Sequence, residues 1–153
     1  MPLSHLEHFL IQTEDIERTV AWYVKALGMR VGPHPDFKMP VEWLYIGDTD
    51  VLHVTKGGAG VSEARLRYLG QQSQATYGSG VVDHVAFRAT GLLDTIDHLK
   101  ANGIAFTERQ VDLQGLYQLF IIDPNGVKVE LNFDAAEAKG RRAEIMAADL
   151  DRA

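Results

Sequence analysis

The chain has no cysteine among its 153 residues. That excludes a disulfide framework, a thiolate metal ligand and a cysteine nucleophile, and leaves any metal to nitrogen and oxygen donors. No apolar run approaches the roughly 18 residues of a membrane-crossing helix. The opening Met1-Pro2-Leu3-Ser4-His5-Leu6-Glu7 also lacks the basic segment and apolar core of an export signal. A cytoplasmic location without a membrane partner is expected. There is no basic surplus either: the net charge is −6 and Lys and Arg are scattered, so no nucleic-acid groove is expected. Gly57-Gly58-Ala59-Gly60 lacks the following lysine and helix of a nucleotide site. Small molecules remain as expected partners.

What is present is a long internal repeat. Leu6-Glu7-His8-Phe9-Leu10-Ile11 returns as Val82-Asp83-His84-Val85-Ala86-Phe87, with the two histidines 76 residues apart. Lys25-Ala26-Leu27-Gly28 returns as Lys100-Ala101-Asn102-Gly103. One repetition of half a chain is too long a period for a solenoid, so it reads as two copies of one supersecondary unit.

In the first copy, residues 6–12 alternate as a strand, and Thr13 is placed to cap a helix over 14–27. That helix carries Ile16, Val20, Tyr23, Val24 and Leu27 at spacings of three and four, and Gly28 can close it. A short strand at 29–31, a Pro-rich loop and a hairpin of strands 41–46 and 51–55 follow. The second copy predicts a strand at 82–88, a helix at 92–101, and strands at 104–111, 115–122 and 127–133 with a turn at Asp123-Pro124-Asn125-Gly126. The expected architecture is α+β: one domain over 1–133, built of two βαβββ modules (5–56 and 81–133) joined by an exposed connector (57–80). Beyond it, 134–153 is rich in Ala, Glu and Arg and reads as a helical tail.

Strand alternation nominates the functional residues. In Val127-Lys128-Val129-Glu130-Leu131-Asn132-Phe133 the apolar side chains share one face, and Lys128, Glu130 and Asn132 the other. His8 opposes Phe9 and Ile11, His84 opposes Val85 and Phe87, and His53 aligns with Glu130 in the repeat. Two curved sheets, a pair of half-barrels, would place His8, His53, His84 and Glu130 around one cleft. Imidazoles with a carboxylate suit a divalent ion, and two histidines with one carboxylate are the facial set of non-haem Fe(II) oxygenases. Arg88 and Lys128 lie on the same face, where a cation would hold an anionic substrate, and Tyr117 lies nearby on the opposite side of its strand from Phe120. All three are substrate-binding candidates. His5, His34 and His98 read as structural or solvated.

The motifs Leu6-Glu7-His8-Phe9, Trp22-Tyr23-Val24-Lys25-Ala26-Leu27-Gly28, Val82-Asp83-His84-Val85-Ala86-Phe87 and Asp123-Pro124-Asn125-Gly126-Val127-Lys128-Val129-Glu130 resemble the vicinal oxygen chelate superfamily. That superfamily includes glyoxalase I, extradiol dioxygenases, fosfomycin-resistance enzymes and bleomycin-resistance proteins. The resemblance implies paired βαβββ units around a metal cleft, a divalent cofactor held by His8, His84 and Glu130, and a homodimer. His53, where four-ligand members carry a carboxylate or amide, implies an acid/base residue of the extradiol kind. Fe(II) is then the favoured ion, with Mn(II), Zn(II) or Ni(II) as alternatives. The expected activity is ring-cleaving dioxygenation, with a glyoxalase-like lyase or isomerase as one alternative and a metal-free, bleomycin-type binding protein as another.

Overall fold

The longest helix, α1 (Ile16–Leu27), starts where Asp15 accepts a hydrogen bond from the Arg18 amide at 2.9 Å and ends where Gly28 turns left-handed at φ 67°. Thr13, expected as the cap, instead accepts from the Asp15 amide and from the Thr19 hydroxyl, tying the helix to the strand before it. The computed structural model describes residues 2–70 and 74–147 and divides them into two units, meeting between Gly78 and Ser79.

The first unit runs β1 (Phe9–Thr13), α1, β2 (Arg30–Gly32), β3 (Val41–Ile46), β4 (Thr49–Lys56) and a short helix α2 (Glu63–Leu69). Its four-stranded sheet has the order β1-β4-β3-β2, with β1 parallel to β4 and the other neighbours antiparallel. Alternation gives the sheet two unlike faces. Ile11, Leu44, Leu52 and Val54 are buried on one, and α1 packs on β3 and β4, burying Tyr23 and Ala26. His53 and Trp43, register partners, share the other face with Leu10 and therefore with His8.

The second unit repeats the order with β5 (His84–Arg88), α3 (Leu92–Ala101), β6 (Thr107–Val111), β7 (Leu116–Ile122) and β8 (Lys128–Asp134), giving β5-β8-β7-β6. The α+β architecture of two βαβββ units is as expected, and neither sheet closes into a barrel. Val129, Leu131, Phe133, Leu119 and Ile121 are buried on the core face, and α3 buries Leu92, Ile96 and Leu99. Lys128, Glu130 and Asn132 take the polar face.

The tail departs from the predicted helix. Residues Ala135–Ala138 form one 3-10 turn, Lys139 and Gly140 take positive φ, and β9 (Ile145–Met146) adds parallel to β6. Residues 148–153 lie outside the described residues. Ala and Glu favour helix locally, but tertiary contacts override so weak a preference. The Glu137 carboxylate accepts from the Gly91 and Leu92 amides at 2.6 and 2.9 Å, capping α3, whose own cap position holds a glycine. Arg141 forks onto Glu108 at 2.6 and 3.0 Å, and Ala138 and Ala143 are buried.

The Arg141 guanidinium holds the Glu108 carboxyl below its usual 4.5, against the opposing effect of burial and with help from the Tyr117 hydroxyl. A depressed folded-state pKa contributes stability that is present above the unfolded value and lost as pH falls through the folded one. Glu108→Gln should therefore flatten the loss of stability on acidification below pH 4.5. At pH 7 it should cost about 1 kcal/mol or less, as for a partly exposed pair. Urea unfolding across pH checks both.

Candidate metal and substrate site

The parallel pairing of the first strand with the last builds a cluster of polar side chains in each unit. Leu10 of β1 faces His53 of β4, and Ala86 of β5 faces Glu130 of β8. Leu10 and Ala86 each stand two residues after a histidine, so one register places His8 beside His53 and His84 beside Glu130 on the polar faces.

In the first unit the imidazoles stack. The His53 ring lies between His8, at 3.9 Å and 19°, and Trp43, at 4.0 Å and 2°. His53 is 8% exposed, and its Nε2 lies 2.7 Å from Asp50 Oδ2. Burial pushes the His53 imidazole below 6.5, the hydrogen bond with Asp50 opposes this, and the nearby His8 adds to the fall. In return His53 holds the Asp50 carboxyl below its usual value. Stacked rings aim their in-plane lone pairs along nearly parallel planes, so His8 and His53 are not arranged to bind one ion together. His8 Nδ1 is shielded from solvent with no hydrogen-bond partner among the described residues, its neighbouring Glu7 carboxylate being 3.5 Å away. An orphaned ring nitrogen of this kind is uncommon in a folded protein.

In the second unit the donors converge. Glu130 is 6% exposed; its Oε1 accepts from Gln118 Nε2 at 2.8 Å, and its Oε2 lies 3.0 Å from His84 Nε2. His84 Nδ1 is held at 2.7 Å by Asp83, which also pairs with Lys128 at 2.6 Å. Lys128 first, and His84 second, keep the Asp83 carboxyl below its usual range. A carboxylate on Nδ1–H fixes the tautomer that leaves Nε2 as a metal donor. Two donors bound at right angles with zinc-like bonds stand about 3 Å apart, and the 3.0 Å between Nε2 and Oε2 fits such an ion. Among the described residues, no three His, Asp or Glu side chains gather as a complete metal group.

The three substrate-binding candidates fare differently. Arg88 lies on the polar face, exposed, and its side chain makes no hydrogen bond or ion pair among the described residues. Lys128 shares that face, but its ammonium is occupied by Asp83. Tyr117 lies on the core face, fully buried, and its hydroxyl donates to Glu108 at 2.9 Å. Alternation along β7 therefore removes Tyr117 from the polar side. Polar-face residues outside the predicted set include Trp43, Asp50, Phe120, Gln118 and Arg109. Pairing β6 and β7 in register with β8 would have found Gln118 and Arg109, since Arg109 faces Gln118 and Gln118 faces Asn132.

The family model of the Glyoxalase/Bleomycin resistance protein/Dioxygenase superfamily matches residues 5–131. The chain belongs to this superfamily. Solved structures share the fold at low identity. An integron cassette protein from V. cholerae is 21% identical over 87% of this chain and 97% of its own, with a TM-score of 0.62. The fosfomycin resistance protein FosX from Listeria monocytogenes is 14% identical over 86% and 93%, with a TM-score of 0.61. An antibiotic-binding protein from a Streptomyces species is 16% identical over 88% and 98%, with a TM-score of 0.61. Among the described residues, no helix is long and apolar enough to cross a membrane.

The opposing influences on His53 give a test with two signs. In metal-free protein, Trp43→Ala exposes the ring and should raise the His53 pKa toward 6.5, whereas Asp50→Asn removes the supporting carboxylate and should lower it further. Imidazole NMR titration reads both; shifts of the same sign in the two variants would contradict the assignment.

Proposed function

We propose that the chain is a divalent-metal-dependent enzyme acting on a small molecule with two neighbouring oxygens, with extradiol-type ring cleavage as the preferred reaction. The observation that carries this reading is the meeting of His84 Nε2 and Glu130 Oε2 at 3.0 Å, each with its other polar atom held by a separate partner. His84 and Glu130 would supply two of the ion's ligands; His8, expected as a third, has an Nδ1 with no hydrogen-bond partner among the described residues. When bound, Fe(II) would lower the cost of forming an anion on the substrate oxygens and bring dioxygen beside them. A lyase or isomerase of the glyoxalase kind would use the same residues without dioxygen.

The chain's own residues carry the rest. Gln118 fixes the Glu130 carboxylate from one side, so the free oxygen stays aimed at His84. Asp50, accepting from Nε2–H, leaves Nδ1 as the basic atom of His53, and Trp43 shields the ring from water. Proton transfer at that nitrogen is the role assigned to His53.

A second reading is a metal-free small-molecule binder. The Trp43–His53–His8 column favours it, because stacked flat rings suit a flat ligand, and the similar Streptomyces protein is antibiotic-binding. Elemental analysis of protein purified without chelator separates the two. Glu130→Ala should abolish metal retention, and Asp83→Asn should weaken it about 10- to 100-fold; full metal content in the Glu130 variant removes the enzyme reading. Oxygen uptake with catechol under Fe(II) is the expected activity, and its absence across a catechol panel leaves the lyase or isomerase version.

A further inference from the structure

The polar face of the second unit carries one row that the proposed metal pair does not use. Strand register aligns Arg88, Asn132, Gln118 and Arg109 across β5, β8, β7 and β6, two side-chain amides with a guanidinium at each end. Arg109 is built into place. Its Nε donates to Gln118 Oε1 at 2.6 Å, and its guanidinium carbon lies 4.6 Å from the centre of the Phe120 ring. Were it present only to neutralise Glu130, its terminal nitrogens would reach that carboxylate. Nη2 instead stands off at 4.0 Å, beyond hydrogen-bonding distance. Glu130 already has Gln118 and His84. The side chain is 41% exposed, so the fork is positioned by its stem and Nε while its outer edge stays accessible.

Resting on the metal reading, we propose that Arg109 is the anion-binding residue of the substrate site and that the substrate carries a carboxylate in addition to its two neighbouring oxygens. A planar guanidinium presents paired donors that match a carboxylate. Arg88, on the same row three strand spacings away, or about 14 Å, adds positive charge from the far end. The charge balance agrees: Lys128 and Asp83 neutralise each other, and Glu130 is the acid of the row beside them, whereas Arg88 and Arg109 have no carboxylate at hydrogen-bonding distance among the described residues.

Calorimetric titration of Mn(II)-loaded protein with catechol and with 3,4-dihydroxybenzoate tests this. The wild type should bind the carboxylated ligand about tenfold or more tightly than catechol, the range of a charge-assisted hydrogen bond. Arg109→Gln should erase that preference, bringing the ratio of the two affinities, measured on protein of equal metal content, to about one. Arg109→Lys, which keeps a charge and a long stem over Phe120, guards against a misfolded variant and should bind with intermediate affinity. Equal preference in all three proteins, or no preference in the wild type, overturns the proposal. If the protein retains no metal, the metal reading fails by itself, and benzoate titrated into metal-free protein decides the Arg109 assignment. Binding lost in Arg109→Gln upholds the assignment, and indifference to that substitution overturns it.

Discussion

A carboxylate with 6% of its surface exposed has to be matched by its surroundings, and the polar face of the second unit is arranged to match Glu130. Removing such a group from water costs several kcal/mol unless hydrogen bonds and opposite charge offset it. Gln118 supplies a neutral donor to one oxygen, His84 faces the other, and Arg109 stands at the second rank. Each of these has its own support: Gln118 from Asn132 and Arg109, His84 from Asp83, and Asp83 from Lys128. The network is continuous across four strands because alternation and register put every member on one face. A shift of β8 by one residue would send Glu130 into the hydrophobic layer and Leu131 onto the polar side.

The repeated half of the chain solved the same placement with different chemistry. His53 occupies the register position of Glu130, and His8 that of His84. Two imidazoles so placed stack instead of converging, and Trp43 on the neighbouring strand extends the stack. Carboxylate and imidazole in the other unit meet edge to edge at 3.0 Å. One duplicated geometry thus yields a ring-lined polar face in the first unit and a charged, donor-lined face in the second.

Much of this was legible from local pattern. Period-two alternation assigned Glu130, Lys128 and Asn132 to one face, and the repeat of acid and histidine located the paired strand starts of the two units. Spacings of three and four located α1 and α3. What local pattern did not contain was pairing between strands that are distant in sequence. Arg109 and Gln118 look unremarkable in their own segments and acquire meaning only opposite Asn132 and Glu130. Tyr117, close to the site in sequence, is turned away by a single residue of alternation. The tail shows the same limit: Ala135 to Glu137 has helical composition, yet Glu137 is required at the α3 N-terminus and Arg141 at Glu108. Those two contacts lie 46 and 33 residues away in the chain, beyond the reach of any local preference.

The polar face also constrains how the site responds to charge. On the proposed metal reading, an ion would take up His84 and Glu130, and the row of Arg88 and Arg109 would be left with a net positive charge. A neutral ligand gains little from such a row, and a dianionic one would compete with Glu130 for Arg109 at 4.0 Å. A ligand with one carboxylate, set apart from its chelating oxygens, avoids that competition. On that reading, the spacing between the cation and the donor pair would select for where the charge sits on the ligand as well as for its sign, through side chains fixed by sheet register.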